Sequence, residues 1–189
     1  TVSNQDYLKK YQIESPLINS NTVLNSSVSY EKYENEYSFS TSVNVIEDLS
    51  KEGNDKYEYT FPDYEYFKET SLNGNFFETF SFKSSGNYRK FDTNVDEADI
   101  TNDLTFSSTN QDKLENIETD FSLLLRNNNS YGDLSTTYKN GEDYKILGSA
   151  IYNLKYPLIK KNNYGTNYLT PQASLRYSPT KGKNLKNEE

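Results

Sequence analysis

The stretch Tyr37–Val45, YSFSTSVNV, sets a bulky or β-branched side chain at every odd position and Ser or Asn at every even one. Successive side chains on a strand point to opposite faces, so this alternation makes one oily face and one wet face. The oily face touches either a packed core or lipid, and the rest of the chain bears on which.

Period two recurs from end to end. Leu24, Ser26, Val28 and Tyr30 precede a short polar turn at Glu34–Asn35, and EDLSKEGNDK makes a polar connection after the opening stretch. In YEYTFPDYEYF, Tyr57, Tyr59 and Phe61 alternate until Pro62 shifts the register at Asp63. Asn73–Asn75 reads as a turn, and Phe76, Phe80 and Phe82 then share a face. Leu104 and Phe106 alternate, as do Ile117, Thr119, Phe121, Leu123 and Leu125. Leu134, Thr136 and Tyr138 lead to Asn140–Gly141, a hairpin-turn signal. YKILGSAIYNLKYPL and YLTPQASLRYSP complete the set. The expectation is a single all-β domain over 1–189, an antiparallel meander of roughly nine strands of about 9–14 residues, longer than the ~5–6 usual in soluble sheets. The only helical candidate is DYLKKYQI, ended by Pro16.

Only 33% of the 189 residues are hydrophobic, the mean hydropathy is -0.95 and the net charge is -8, a balance that tends to disorder. Eighteen Tyr and ten Phe argue for order instead. The absence of Cys and His removes disulfides, thiolate chemistry, an imidazole base and histidine metal ligands. No apolar run approaches the ~20 residues of a membrane helix, but a membrane barrel needs only strands of ~10 residues in which every second residue is apolar.

Both a membrane barrel and a soluble β-sandwich alternate in this way. Strand length, a hydroxyl- and Asn-rich wet face, and Tyr near strand ends (Tyr30, Tyr37, Tyr57, Tyr88, Tyr138, Tyr152, Tyr156) fit a barrel with an aromatic girdle. The absence of Trp and the charge of Glu78 between Phe76 and Phe80 weigh against it. On the barrel reading the candidate lipid-facing residues are Tyr37, Phe39, Val43, Val45, Phe80, Phe82, Phe121, Leu123 and Leu125. On the sandwich reading the chain is a secreted or surface module that binds carbohydrate or protein through its Tyr-rich face.

The succession of segments resembles the β-barrel of the LptD family, the outer-membrane lipopolysaccharide-assembly proteins. SNTVLNSSVSYEKYENEYSFSTSVNVIEDL resembles a family hairpin of two long strands, YEYTFPDYEYF the next strand with its internal proline, and FFETFSFKSSGNYRKF and LTFSSTNQDKLENIETDFSLLLRN the following pairs. Leu169, Pro171, Leu175 and Tyr177 in YLTPQASLRYSP match an L-x-P-x-x-x-L-x-Y strand found past the barrel's middle. The resemblance implies an interior segment of a large transmembrane β-barrel in the cell outer membrane of a Gram-negative bacterium. The jelly-roll domain, the disulfide cysteines and the first and last barrel strands of the family have no counterpart here. It also implies lipopolysaccharide and outer-membrane lipid as partners, together with a plug lipoprotein of the LptE type.

Other motifs carry less. DTNVDEADITND, Asp92–Asp103, begins like a calcium loop but has Glu97 where that loop needs Gly and Asp103 where it needs Glu, so it reads as an acidic solvated loop. Lys160–Lys161 reads as a solvated loop ahead of a phosphate contact, and the tail TKGKNLKNEE as a polar loop. No nucleophile elbow, P-loop or dinucleotide fingerprint occurs, so neither enzyme activity nor a cofactor is expected. At pI 4.7 the chain repels phosphate backbones, and no nucleic-acid partner is expected.

Overall fold

The computed structural model describes residues 22–72, 78–110, 117–162, 164–180 and 182–187. Ten strands form in chain order: β1 (Val23–Tyr33), β2 (Tyr37–Asp48), β3 (Tyr57–Ser71), β4 (Thr79–Phe91), β5 (Val95–Asn110), β6 (Glu118–Asp133), β7 (Gly141–Lys155), β8 (Leu158–Asn162), β9 (Gly165–Leu169) and β10 (Gln172–Tyr177). The antiparallel meander expected from the alternation is present. Eight strands make one sheet in the order β1-β2-β3-β4-β5-β6-β7-β10, and β8 and β9 make a separate hairpin. Among the described residues the sheet is open: β1 pairs only with β2, and β10 only with β7. Among the described residues no large side chain is fully buried, so this single layer encloses no core of its own.

The registers place every side chain on one of two faces. One row runs Lys32, Phe39, Tyr66, Ser84, Asn102, Asn127 and Ile146 across β1 to β7, and the next runs Tyr37, Lys68, Phe82, Leu104, Leu125 and Gly148 from β2 to β7. Opposite residues of paired strands share a face, so these rows belong to the same one. Pro62 does shift the register. Ser42 pairs with Asp63 but Asn44 with Thr60, leaving Phe61–Pro62 as a bulge that returns Tyr59 and Tyr57 to the face of Tyr64 and Tyr66.

The strands are staggered. From the row of Phe39, β2 extends two residues toward Tyr37 and nine toward Asp48; from the same row at Ile146, β7 extends nine toward Lys155 and five toward Gly141. The midpoints therefore drift 5.5 residues over five strand steps. At ~3.4 Å per residue and ~4.8 Å per strand this corresponds to a tilt of ~38°, within the ~35–45° of closed barrels.

Several sequence expectations need correction. Leu134, Thr136 and Tyr138 form no strand. β6 continues through the polar run Arg126–Asp133, Gly132 pairs with Gly141, and 134–140 is a connection in which Leu134 has φ 53°. Asp92–Asp103 is not a loop: only 92–94 turn, and the acids from Asp96 to Asp103 lie in β5. Lys160–Lys161 is in β8 rather than in a loop. YLTPQASLRYSP is two strands, because Pro171 supplies no N–H to a ladder and separates β9 from β10. Asn73–Asn75, Phe76 and DYLKKYQI with Pro16 lie outside the described residues.

Candidate membrane-facing surface

All nine expected lipid-facing residues fall on one face of the sheet: Tyr37, Phe39, Val43 and Val45 on β2, Phe80 and Phe82 on β4, and Phe121, Leu123 and Leu125 on β6. The register brings to the same face Val28, Tyr59, Leu104 and Phe106, from other runs read as alternating, and adds Ile100, Tyr144, Ile146 and Leu175. Aromatic side chains meet across strands on this face. Phe80 and Phe106 have ring centroids 4.9 Å apart, Tyr66 and Phe82 6.0 Å, and Tyr37 and Tyr66 6.4 Å. Of the seven expected girdle tyrosines, Tyr30, Tyr37, Tyr57, Tyr88 and Tyr152 lie here. Tyr156 follows the end of β7. Tyr138 instead turns to the other face, where its hydroxyl donates to Asp99 at 3.4 Å.

Charge separates the two faces by position along the strands. On the apolar face Lys32, Glu47, Lys68, Lys90, Asp96, Asp133 and Glu142 each lie four or more residues from the midpoint of their strand. Glu78 precedes β4 altogether, so its charge is at the rim. On the polar face charges occupy the middle. Arg126 grips Asp103 with two nitrogens at 2.6 Å each and Lys83 meets Glu65 at 2.9 Å, while Arg89 meets Glu58 at 2.6 Å nearer the strand ends. Ser38, Ser40, Ser42 and Asn44 belong to this face.

One polar feature lies on the apolar face. Tyr64 Oη is 3.1 Å from Ser84 Oγ, which donates to Asn102 Oδ1 at 2.8 Å; Asn102 Nδ2 reaches Asn127 Oδ1 at 3.4 Å, and Asn129 Nδ2 donates to Asn127 Oδ1 at 2.6 Å. This ladder crosses four strands close to their midpoints, so Ser and Asn are not confined to the wet face. Its members satisfy one another, which is the condition for polar groups to sit in an apolar setting. Beside it Tyr64 pairs across the strand with Gly86, where an added Cβ would meet the Asp99 carbonyl oxygen at 2.5 Å.

The chain itself covers part of the polar face. Ser135 Oγ donates to Glu97 at 2.6 Å, Asn187 Nδ2 donates to the Tyr138 carbonyl at 2.9 Å, and Lys183 bonds Asp143. Half-burial and the neighbouring Asp99 hold the Tyr138 phenol above its ordinary range. At the same end Lys51 reaches Asp92 at 2.6 Å, and that carboxylate holds the Lys51 ammonium above its usual value.

Among the described residues no group of three acidic side chains could hold a metal ion, and no helix is long and apolar enough to cross a membrane. No protein-family model and no curated protein matches the chain.

Proposed function

We propose that this chain forms adjacent strands in the wall of a large outer-membrane β-barrel of the LptD type, which places lipopolysaccharide in the outer leaflet. The observation that carries this reading is a sheet with no second layer among the described residues, whose face free of mid-strand charge gathers all nine expected residues. A sheet buries its apolar face against something, and a lipid face excludes charge at mid-depth, where each Arg or Lys costs about 2–4 kcal/mol. The ~38° tilt and the apolar span of β5 support the same wall. From Ala98 to Phe106 eight steps of ~3.4 Å make ~27 Å along the strand, or ~21 Å of height at that tilt, the same order as the ~25 Å band of such barrels.

The mechanism is passive. The apolar face anchors the wall in lipid, and the polar face lines a lumen where the plug lipoprotein sits and lipopolysaccharide passes. The open edges of β1 and β10 then pair with further strands, because lipid satisfies no backbone N–H or C=O. The lipopolysaccharide cargo rests on the resemblance of the segment order and calls for its own test: depletion of the protein leaves lipopolysaccharide in the inner membrane.

The Ser84–Asn102–Asn127–Asn129 ladder favours a second reading, in which protein rather than lipid covers the apolar face, as in a sandwich. Single cysteines placed from Tyr37 to Val45, each carrying a fluorophore, separate the two. Quenching by acyl-labelled lipid at the odd positions alone is expected. Correctly folded protein that is unquenched at all nine positions would give the sandwich the lead.

A further inference from the structure

The hairpin that carries the chain from β7 to β10 is interrupted at one level by two prolines. β7 ends at Lys155 and β8 begins at Leu158, while β9 ends at Leu169 and β10 begins at Gln172, with Pro157 and Pro171 on opposite strands of the gap. Neither proline has an N–H for a ladder; the break is bridged by the Tyr156 N–H, which donates to the Pro171 carbonyl at 3.0 Å. Beyond it, among the described residues, β8 and β9 pair only with each other and are exposed along their whole length.

Membrane geometry places this hairpin. The 15 residues of β7 extend ~50 Å, or ~39 Å at a ~38° tilt, which already exceeds the ~30 Å hydrocarbon core. β8 and β9 therefore stand at the level of the headgroups or above it. Their side chains suit that level. Ile159 pairs with Tyr168 and Leu158 with Leu169, Lys160 and Lys161 point to opposite faces, and Tyr164 at the tip is completely exposed. A lone two-stranded hairpin is at best marginally stable in water, and this one holds its aliphatic and aromatic groups in the open.

The charge of this region has one sign. From Tyr144 to Asn187 there are eight Lys and Arg and no Asp or Glu, whereas 26 of the 28 acids lie within 1–143. A basic region bearing aliphatic and Tyr side chains fits a surface that is anionic outside and apolar just beneath. A membrane offers both, because Tyr settles at the headgroup boundary and Lys extends its ammonium to the phosphates.

We propose that the β8–β9 hairpin is an anchor for anionic lipid headgroups. Lys160 and Lys161 bind lipid phosphates beside the rim, and Ile159, Tyr164 and Tyr168 enter the headgroup–acyl boundary. The assignment rests on the membrane reading above.

The test uses the full chain reconstituted in vesicles, with one fluorophore on Tyr168→Cys and, in a second sample, on Val43→Cys. Vesicles of phosphatidylcholine alone are compared with vesicles that also contain phosphatidylglycerol, each with headgroup-labelled or acyl-labelled quenching lipid. Position 168 is expected to be quenched by the headgroup label, more strongly with phosphatidylglycerol. The gain should disappear in K160Q/K161Q and in high salt. Two lysines near an anionic surface, at about 1 kcal/mol each, set a shift of up to about thirty-fold in docked over undocked hairpin. Quenching at 43 but none at 168, as when an acidic protein takes the hairpin, overturns the anchor and leaves the membrane wall standing. Quenching at 168 that ignores both phosphatidylglycerol and K160Q/K161Q overturns the phosphate contact. Absence of quenching at 43 overturns the membrane reading and the anchor with it.

Discussion

Asn127 shows how polar residues settle in long strands. Asn is a poor strand former, and Asn127–Asn128–Asn129 would ordinarily mark a turn. Here Asn127 accepts from Asn102 and Asn129, while Asn128 Nδ2 donates to Thr101 Oγ1 at 2.9 Å on the opposite face. Arg126 is held in the same stretch by its paired bonds to Asp103. Asn127→Ala leaves the amides of Asn102 and Asn129 short of a partner in an apolar setting, where an unmet polar group costs about 1–3 kcal/mol. Asn44→Ala, on the wet face, should stay within about 0.5 kcal/mol. Denaturant unfolding of both variants in detergent checks the pair; equal losses would mean that the ladder is solvated rather than set in an apolar layer.

Among the connections, 134–140 carries a pH-dependent anchor. Tyr138 is half-buried beside Asp99, and its phenol is held above the ordinary range by burial first and by that carboxylate second. A raised folded value means that the neutral phenol favours the folded chain. Its contribution is complete below the ordinary phenol value of about 10 and is lost as pH rises through the folded value. Unfolding measured across the alkaline range should therefore show the wild type losing more stability than Tyr138→Phe above about pH 10. Parallel curves would show that Tyr138 is not docked. The β8–β9 hairpin is the other connection with a task of its own, and its prolines are what separate it from the sheet.

At the scale of the whole molecule, one face and two edges of the sheet have no partner strand or layer among the described residues. Among the described residues no further strand pairs with the outer side of β1 over Leu24–Tyr33 or of β10, and no layer lies over the apolar face. Open edges and an apolar face both associate in water. Light scattering should find residues 1–189 in large aggregates in plain buffer and in small micellar particles in detergent, with strand circular dichroism retained. A compact monomer in plain buffer would mean that the apolar face is covered by the chain itself, as a sandwich requires.

Alternation in Tyr37–Val45, Phe80–Phe82 and Phe121–Leu125 was enough to determine the all-β class and which residues of each run share a face, because the two-residue period is a local property of extended backbone. Pro62 announced its own bulge for a similar local reason. Other features depend on which strand lies opposite. The acids of β5 look like a loop until Arg126, Lys90 and Asn87 stand across from them. Arg126–Asp133 looks like a turn until Asp103 and Thr101 do. Ser84, Asn102 and Asn127 are separated by many residues and become one ladder only through register. The tilt of the wall is likewise a sum over pairings, and the confinement of charge to the rims is visible only once each strand's midpoint is known. Local period decided what each side chain is beside along the chain; the tertiary structure alone decided what it is beside across it.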